Sequence, residues 1–332
     1  MKSKRFSHLA VFTFLISIIY TLAAASAWAA DFPKRGVTVV VSFPPGGGTP
    51  MVGQRIVNII NENKICPTGM QLVFKPGGAG TIGLSEVLSG RPDGYNLAYS
   101  PSAPLMVQPL IKDLPYTTKS FIPIIQTLTN DWLLSVKSDA PWQTVQEFIE
   151  YAKQHPGEVT VGTAGDYTWP HIALLDISKA TGLKFRHVPF AGSGPAVVSL
   201  LGGHINAAIL KPIDISSQIE AGKARFIASA ELKRSQFYPD VPTFKELGFP
   251  VSGSYYSEMF VAPKGTPEDI IKILHDMFKK AIDTEDYKAF LKTMGADLQY
   301  IGYKNLPATL DTETKKVKSL LQELGTEIKA GN

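Results

Sequence analysis

Residues 37–43 read VTVVVSF and run directly into residues 44–50, PPGGGTP, after which a helical pattern begins. A near-continuous run of β-branched residues predicts a strand that is buried on both faces of a sheet. Thr49 can cap the following helix, and Pro50 suits its first position. Apolar residues at helical spacing then form one face of that helix: Val52, Ile56, Ile59 and Ile60. This strand–loop–helix unit predicts an α/β fold with mainly parallel sheets.

The same unit recurs along the chain, because short apolar runs alternate with helical patterns. Further strands are predicted at residues 71–74, 96–100, 159–162, 184–190, 205–210 and 224–230. The clearest later helix begins near Pro267, where Thr266 and Asp269 form a cap-like pair. Its predicted apolar stripe consists of Ile270, Ile273, Leu274, Met277, Phe278 and Ala281. Strand–helix alternation of this kind is typical of α/β proteins.

Four of the strand–helix junctions are rich in glycine. They are residues 44–49 (PPGGGT), 76–81 (PGGAGT), 162–168 (GTAGDYT) and 190–195 (FAGSGP). Free N–H groups and the positive end of a helix dipole favour an anion at such a junction. For any single loop a tight turn is the simpler explanation. Four loops, two before residue 130 and two after residue 160, indicate two lobes that hold one acidic ligand between them.

Two other classes of function fit the sequence less well. Residues 78–83 satisfy the G-x-G-x-x-G pattern, but the acidic residue expected about 20 positions later is missing. No nucleophile elbow, zinc-binding helix or Cys–His site is present, and the four loops and the turn after them supply only Asp166 and His171 as titratable groups. We therefore predict a binding protein with no catalytic residue, no metal site and no cofactor, in which His171 binds ligand or has a structural role.

Composition narrows the class of partner and the cellular location. The chain has 332 residues, a formal net charge of +4 and one cysteine, Cys66, which is predicted to be a small buried apolar residue rather than a reactive thiol. Outside the N-terminus the sequence has no run of basic residues, so no nucleic-acid partner is expected. Residues 1–29 have a basic head, an apolar run and a small-residue end, which is the pattern of a cleaved signal peptide, with a membrane anchor as the alternative. Export to the periplasm is therefore expected.

At the glycine-rich loops, and over essentially the whole mature chain, the sequence resembles the periplasmic solute receptors of tripartite tricarboxylate transporters, the Bug family. The motifs that carry the resemblance are SFPPGGGTP (42–50), KPGGAGTIG (75–83), RPDGYNL (91–97), GTAGDYTWPH (162–171), HVPFAGSGPA with LLGGHINAAI (187–209), AGKAR (221–225), DVPTFKELGFP (240–250) and APKGTPEDI (262–270). The resemblance implies a two-lobed periplasmic binding protein fold with two crossing strands as hinge. Lobe 1 is expected to comprise residues 30–130 and 252–332, and lobe 2 residues 131–251.

The resemblance also implies which residues bind the ligand. One carboxylate would be held by Phe43, Gly47, Gly48, Thr49, Gly78, Ala79, Gly80 and Thr81. The other end of the ligand would meet Thr163, Ala164, Gly165, Thr168, Phe190, Ser193 and Gly194. The predicted site is completed by Ser100, Tyr167, Trp169, His171 and Lys211. The implied partners are a small organic carboxylate and the membrane permease to which a monomeric receptor delivers it.

Three positions depart from the family pattern. Pro50 stands where the family usually has Asp, so no amino group is expected to be recognised there. Trp169 adds aromatic bulk, which either stacks on a flat ligand or packs on its own lobe. Lys211 is either a partner for a carboxylate or a solvated lysine. A dicarboxylate, a tricarboxylate and an aromatic acid all remain open as ligands. The alternative functions are a sensor subunit that presents its ligand to a membrane kinase and an α/β enzyme such as a nucleotide-dependent dehydrogenase.

Overall fold

The structure, a computed structural model, describes residues 32–329. These residues form two mixed sheets with helices packed on them. The predicted signal peptide at residues 1–29 lies outside this range. The first sheet has the strand order β11-β4-β10-β3-β1-β2. Its strands are β1 (Val37–Val41), β2 (Met70–Phe74), β3 (Asn96–Pro101), β4 (Phe121–Leu128), β10 (Glu258–Pro263) and β11 (Ile301–Gly302). We call this sheet and the helices packed on it lobe 1.

The second sheet has the order β7-β6-β8-β5-β9, and with its helices it forms lobe 2. Its strands are β5 (Leu133–Lys137), β6 (Thr160–Thr163), β7 (Arg186–Pro189), β8 (Ala207–Leu210) and β9 (Ala224–Ser229). The α/β class is thus confirmed, and all seven strands expected from the sequence are present within a few residues. The lobe boundaries expected at residues 130/131 and 251/252 stay a prediction.

The helices follow most of the strands, as the alternating pattern predicts. They are α1 (Gly48–Glu62), α2 (Thr81–Ser89), α3 (Ser102–Met106), α4 (Gln108–Ile111), α5 (Val145–Gln154), α6 (Trp169–Thr181), α7 (Ser193–Leu201), α8 (Pro212–Glu220), α9 (Glu268–Ile282), α10 (Glu285–Thr293) and α11 (Leu306–Glu323). None of the helices in the described range is long and apolar enough to cross a membrane.

The expectation of mainly parallel sheets needs correction. Strands β1, β2 and β3 pair in parallel, and so do β6, β7 and β8, because each connection between them passes through a helix. The remaining pairings are antiparallel and involve β4, β10 and β11 in lobe 1 and β5 and β9 in lobe 2. Strands β4 and β9 precede the two segments that pass between the sheets, and β5 and β10 follow them. The chain therefore enters each sheet in a strand, β5 or β10, that runs opposite to the parallel strands.

Two expected helix caps are also wrong. Helix α1 begins one residue before Thr49, and the Thr49 hydroxyl donates to Glu258 instead of capping the helix. Helix α9 begins after Pro267, and the Thr266 hydroxyl donates back to the carbonyl of Pro263. Both hydroxyls therefore satisfy a tertiary or turn contact in place of a helix end.

The core of lobe 1 lies between its sheet and the helices that flank it. On helix α9 the predicted stripe is buried except Ile273, which is partly buried, and Ile271 and Ile282 join it. Phe278 of this helix stacks on Phe260 of β10 with ring centroids 3.8 Å apart and an interplanar angle of 14°. Cys66 is buried, as expected.

We expect Phe278→Ala to lower the free energy of unfolding by about 3–5 kcal/mol, because the substitution leaves a cavity against Phe260. Urea denaturation followed by circular dichroism measures this loss. Val198→Ala is the matched control, since Val198 is 71% exposed and its truncation is expected to change stability by less than about 0.5 kcal/mol. Equal effects of the two substitutions would contradict the placement of helix α9.

Candidate functional site

The four glycine-rich loops meet in pairs between the lobes. A methyl carbon placed on Gly194 would lie 3.0 Å from the carbonyl oxygen of Gly46, so the first and fourth loops touch through their backbones. The second and third loops also touch, because a methyl carbon on Gly165 would lie 3.5 Å from Cβ of Ala79. This close approach favours glycine at position 194, because a side chain there would press on the Gly46 backbone. The structure is therefore a closed arrangement in which all four loops are at the lobe interface.

A cavity lies at this interface, and three of the four glycine-rich loops bring the start of a helix to its wall. Gly47 and Gly48 are at the start of α1, Thr168 and Trp169 at the start of α6, and Ser193 at the start of α7. The first N–H groups of a helix have no partner within the helix, and the helix dipole makes them favourable for an anion. None of the described residues that line the cavity is acidic. The arrangement suits a small anion.

Nine of the residues predicted from the sequence line this cavity. They are Phe43, Gly47, Gly48, Thr49, Ala164, Thr168, Trp169, Ser193 and Lys211. Eleven others are not among its lining residues, namely Gly78, Ala79, Gly80, Thr81, Ser100, Thr163, Gly165, Tyr167, His171, Phe190 and Gly194. Their role in binding stays a prediction.

Several of the eleven contact residues that line the cavity, among them Gly80, Gly165 and Gly194. Gly80 packs against Phe43, since a methyl carbon on Gly80 would lie 3.1 Å from that ring. The backbone carbonyls of Asp166 and Tyr167 accept hydrogen bonds from Gln108 of lobe 1, at 2.8 and 3.0 Å. In this closed arrangement these loops therefore hold the lobes together around the cavity.

The residues that sequence reasoning missed are mainly aromatic and proline side chains. Trp132 and Tyr256 line the cavity, as do Pro44, Pro50, Pro101, Ala103, Pro104, Pro170 and Gly192. Trp132 lies in the first segment that passes between the sheets (129–132) and Tyr256 in the second (230–257). Their rings meet edge to face with centroids 5.1 Å apart. No periodic pattern marks such positions, because they belong to neither a strand nor a helix.

Lys211 is neither solvated nor free, because it forms a buried ion pair across the lobes. Its Nζ lies 2.9 Å from Oε1 of Glu258, and the side chains are 3% and 0% exposed. The Lys211 ammonium also donates to the hydroxyl of Tyr256 and lies 5.6 Å from the centre of the Trp132 ring. Lys211 follows β8 of lobe 2 and Glu258 begins β10 of lobe 1, so the pair joins the two lobes.

The Glu258 carboxylate is fully engaged. Oε1 accepts hydrogen bonds from Thr49 at 2.6 Å and from Tyr256, and Oε2 accepts one from Tyr99 at 2.7 Å. Burial alone would raise the pKa of Glu258, but the charge of Lys211 and these hydrogen bonds outweigh it and leave the pKa below its ordinary value. Burial and the same carboxylate raise the pKa of Tyr99 and of Tyr256 well above the ordinary value. Glu258 is therefore the counter-ion of Lys211 at neutral pH.

A second carboxylate occupies the start of helix α1. Oδ1 of Asp214 in lobe 2 accepts a hydrogen bond from the Gly48 N–H at 2.7 Å, while its Oδ2 accepts one from the Lys211 N–H at 3.1 Å. The anion-binding end of α1 is thus filled by the protein's own side chain in the closed arrangement. This placement was not foreseen, since Asp214 is not part of any glycine-rich loop.

Trp169 packs across the lobe interface rather than on its own lobe alone. Its Nε1 donates to Oγ of Ser102 in lobe 1 at 2.8 Å, and its ring centroid lies 6.0 Å from that of Tyr255. The indole is buried and one part of it lines the cavity. Whether the ring also stacks on ligand stays a prediction.

Two histidines stack behind the third loop. His171 and His187 have ring centroids 3.9 Å apart and an interplanar angle of 8°. Nδ1 of His171 accepts the Tyr167 N–H at 2.9 Å, and Nε2 of His187 lies 2.6 Å from Oγ1 of Thr163. Burial and the neighbouring His187 lower the pKa of His171 to about 3, and burial lowers that of His187. Both rings are therefore neutral at pH 7.

Asp166 lies near the two rings, so the three side chains offer metal-ligand atoms within 4.8 Å of one another. Ring nitrogens bind a cation along lone pairs that lie in the plane of each ring, at about 2.0–2.1 Å for zinc. A cation at that distance from two stacked, parallel rings would lie far out of both planes. The stacked geometry suits hydrogen bonding to the loop rather than chelation by both rings.

The histidine pair predicts a loss of stability in acid. Unfolded His171 binds a proton below about pH 6.5 whereas the folded residue does not, so protonation favours the unfolded chain as the pH falls. Between pH 7 and pH 5 this residue alone should remove about 2 kcal/mol from the free energy of unfolding. In His171→Asn, which retains an acceptor for the Tyr167 N–H, urea titrations should show a smaller loss between the two pH values. An unchanged loss would exclude His171 as its source.

The ion pair predicts non-additive effects on stability. Glu258→Gln should cost about 3–5 kcal/mol because it leaves the Lys211 ammonium buried without a counter-ion, and Lys211→Met should do the same to Glu258. The double variant removes both charges, so it should lose less than the sum of the single variants in urea denaturation. Strictly additive losses would contradict the pairing.

Comparison with known proteins gives a consistent picture. The family model described as "Tripartite tricarboxylate transporter family receptor" matches residues 64–326. A Cupriavidus necator relative, described as "UPF0065 protein in gbd 5'region", is 33% identical over 310 residues, which cover 91% of each chain. The solved periplasmic binding protein BugD is 25% identical with a TM-score of 0.84, covering 89% of this chain and 99% of its own. A Rhodopseudomonas palustris protein solved with adipate is also 25% identical, with a TM-score of 0.83 and coverages of 90% and 99%.

Proposed function

The chain belongs to the tripartite tricarboxylate transporter family of receptors, and from this premise we propose that it captures a small organic carboxylate between its lobes and delivers it to a membrane permease. The single observation that carries the proposal is the cavity at which helices α6 and α7 begin with no side-chain cap at their starts, and whose described lining residues include no acid. Oriented N–H donors in a water-poor cleft favour an anion over a neutral solute. The adipate bound to the similar R. palustris protein supports the same class of ligand.

Binding would work by closure of the lobes. A ligand stabilises the closed state to the extent that it binds that state better than the open one. In the closed arrangement the cavity wall takes Thr49 from lobe 1 and Ser193 from lobe 2, so only closure presents both to one ligand. We place the nine lining residues predicted from the sequence in direct contact with the solute and the other eleven behind them. The lobes would divide at residues 130/131 and 251/252.

We also propose that the protein is exported to the periplasm and that it catalyses no reaction. The signal-peptide pattern of residues 1–29 supports export to the periplasm, where BugD acts as a binding protein. The cavity lining offers one lysine and one tyrosine as titratable groups, and both are hydrogen-bonded to Glu258. A site with no free acid or base suits a receptor better than an enzyme.

Isothermal titration calorimetry of the purified protein against mono-, di-, tri- and aromatic carboxylates tests the proposal. We expect one acid to bind without any added cofactor and to be recovered unchanged. Binding of a nicotinamide dinucleotide, or conversion of the acid, would contradict a receptor. Deletion of the gene in its host should abolish uptake of the bound acid; uptake that persists while the host's response to the acid is lost would instead identify a sensor subunit.

We expect Gly194→Asp to abolish carboxylate binding. Its side chain would meet the backbone of Gly46 and place a negative charge at the start of helix α7, so it opposes both closure and the anion. Val198→Asp, which adds the same charge to an exposed position of the same helix, should retain the affinity. Calorimetry on both folded variants measures the difference, and retained binding in Gly194→Asp would exclude this loop from the site.

A further inference from the structure

We infer that Gln108 and His171 are positioning residues that make ligand binding sensitive to protons. Neutral His171 holds the third glycine-rich loop (162–168) in the shape to which Gln108 of the other lobe binds, and protonation of His171 breaks these contacts and releases the ligand. This inference rests on the proposed function and adds to it how release is controlled. Three sets of contacts support it: those of the loop with Gln108, with His171 and with the cavity.

Gln108 joins the third loop to lobe 1. Its side chain is fully buried at the start of helix α4. Its Nε2 donates to the carbonyl oxygens of Asp166 and Tyr167 in lobe 2, at 2.8 and 3.0 Å. Its Oε1 has no hydrogen-bond partner among the described residues, so the amide joins the lobes only through these two hydrogen bonds. Both bonds require that the lobes are closed and that the two carbonyls point toward lobe 1.

His171 fixes the turn that carries those carbonyls. Tyr167 has a φ of 52°, a left-handed backbone conformation that is unfavourable for a residue with a side chain. Nδ1 of His171 accepts the Tyr167 N–H at 2.9 Å and so supports this turn. Both ring nitrogens of a protonated histidine are donors. A proton at Nδ1 would therefore face the Tyr167 N–H, and the turn would lose its support.

The surroundings of His171 disfavour a positive charge. Its ring stacks on that of His187 from β7 with centroids 3.9 Å apart, and burial and this neighbour lower the pKa of His171 to about 3. The loop itself contributes two titratable groups. The Asp166 carboxylate lies 3.6 Å from Nδ1 of His187, whose pKa it raises, and the Tyr167 ring centroid lies 5.2 Å from that of His171. His171 therefore stays neutral while the loop keeps this shape.

The third loop also forms part of the ligand site. Ala164 and Thr168 line the cavity, and helix α6 begins directly after Thr168. When the lobes separate, the contacts with Gln108 are lost and the loop no longer has to keep this shape. His171 can then bind a proton with a pKa nearer to the ordinary value of 6.5. A ligand that binds the closed state must displace this proton, so its affinity falls as the pH falls.

Calorimetry at two pH values tests the role of His171. The probe is adipate, the acid bound to the similar R. palustris protein, or a tighter-binding acid from the carboxylate titrations. Affinity should be about threefold to tenfold lower at pH 5.5 than at pH 7.5, where the ordinary histidine pKa sets the upper limit. His171→Asn keeps an acceptor for the Tyr167 N–H but does not titrate, so it should lose this difference and show what protonation of the acid itself contributes.

His155→Asn is the matched control for His171→Asn. His155 is also in lobe 2, where its ring stacks on Tyr151, and it does not line the cavity. This variant should retain the pH dependence of the unmodified protein. Equal pH dependence in the unmodified protein and in His171→Asn would overturn the inference and leave the receptor function intact. If no carboxylate binds at pH 7.5, the proposed function fails and this inference fails with it.

Gln108→Met tests the contact between the lobes. The substitution keeps the length of the side chain but removes the donor, so affinity at pH 7.5 should fall about fivefold to a hundredfold, the range for two hydrogen bonds. Gln126→Met is the matched control, because Gln126 is also buried in lobe 1 but its Nε2 donates to Gln299 of the same lobe at 2.9 Å. This control should retain the affinity.

Thermal unfolding identifies whether both glutamine variants are folded at the assay temperature. An unchanged affinity in folded Gln108→Met, or an equal loss in Gln126→Met, would refute the role of Gln108. If Gln108→Met does not fold, the pH dependence of His171→Asn decides the inference independently.

Discussion

The closed arrangement depends on one buried ion pair, between Lys211 of lobe 2 and Glu258 of lobe 1. Two charges that leave water at an interface are stable only when each is paired and hydrogen-bonded. Thr49, Tyr99 and Tyr256 supply those hydrogen bonds, so the first turn of α1, the centre of the first sheet and a crossing segment all converge on one carboxylate. The geometry of the site follows from the need to keep this charge pair satisfied.

The glycine-rich loops have a related but separate role. Their small residues let the backbones of the two lobes approach, as at Gly46 and Gly194, and bring three helix starts to one cavity. Asp214 then fills one of those starts from the opposite lobe. The loops therefore create the attraction for anions, and the surrounding side chains decide how much of that attraction remains for a ligand.

Much of the fold could be predicted from the sequence, because local patterns specify it. The β-branched run at residues 37–43 and the stripe on α9 are buried as expected except at Thr38 and Ile273, which are partly buried, and the resemblance to the receptor family is confirmed by the family match. The antiparallel pairing of β4 and β10 could not be predicted from such patterns, since a strand that is buried on both faces has the same apolar pattern whether it pairs in parallel or antiparallel. For the same reason the site was only partly foreseen. Glycine-rich turns are visible in a sequence, whereas Trp132, Tyr256 and Glu258 meet only through the crossing of distant segments.

The position of the tryptophans has an optical consequence. Of the three tryptophans in the described part of the chain, Trp132 and Trp169 line the cavity, and Trp142 packs against Phe148 and Tyr151 within lobe 2. Indole emission shifts with exposure to water, so separation of the lobes would alter the signal of two fluorophores and leave the third as an internal reference. Tryptophan fluorescence can therefore report how far the cleft is open without any attached label.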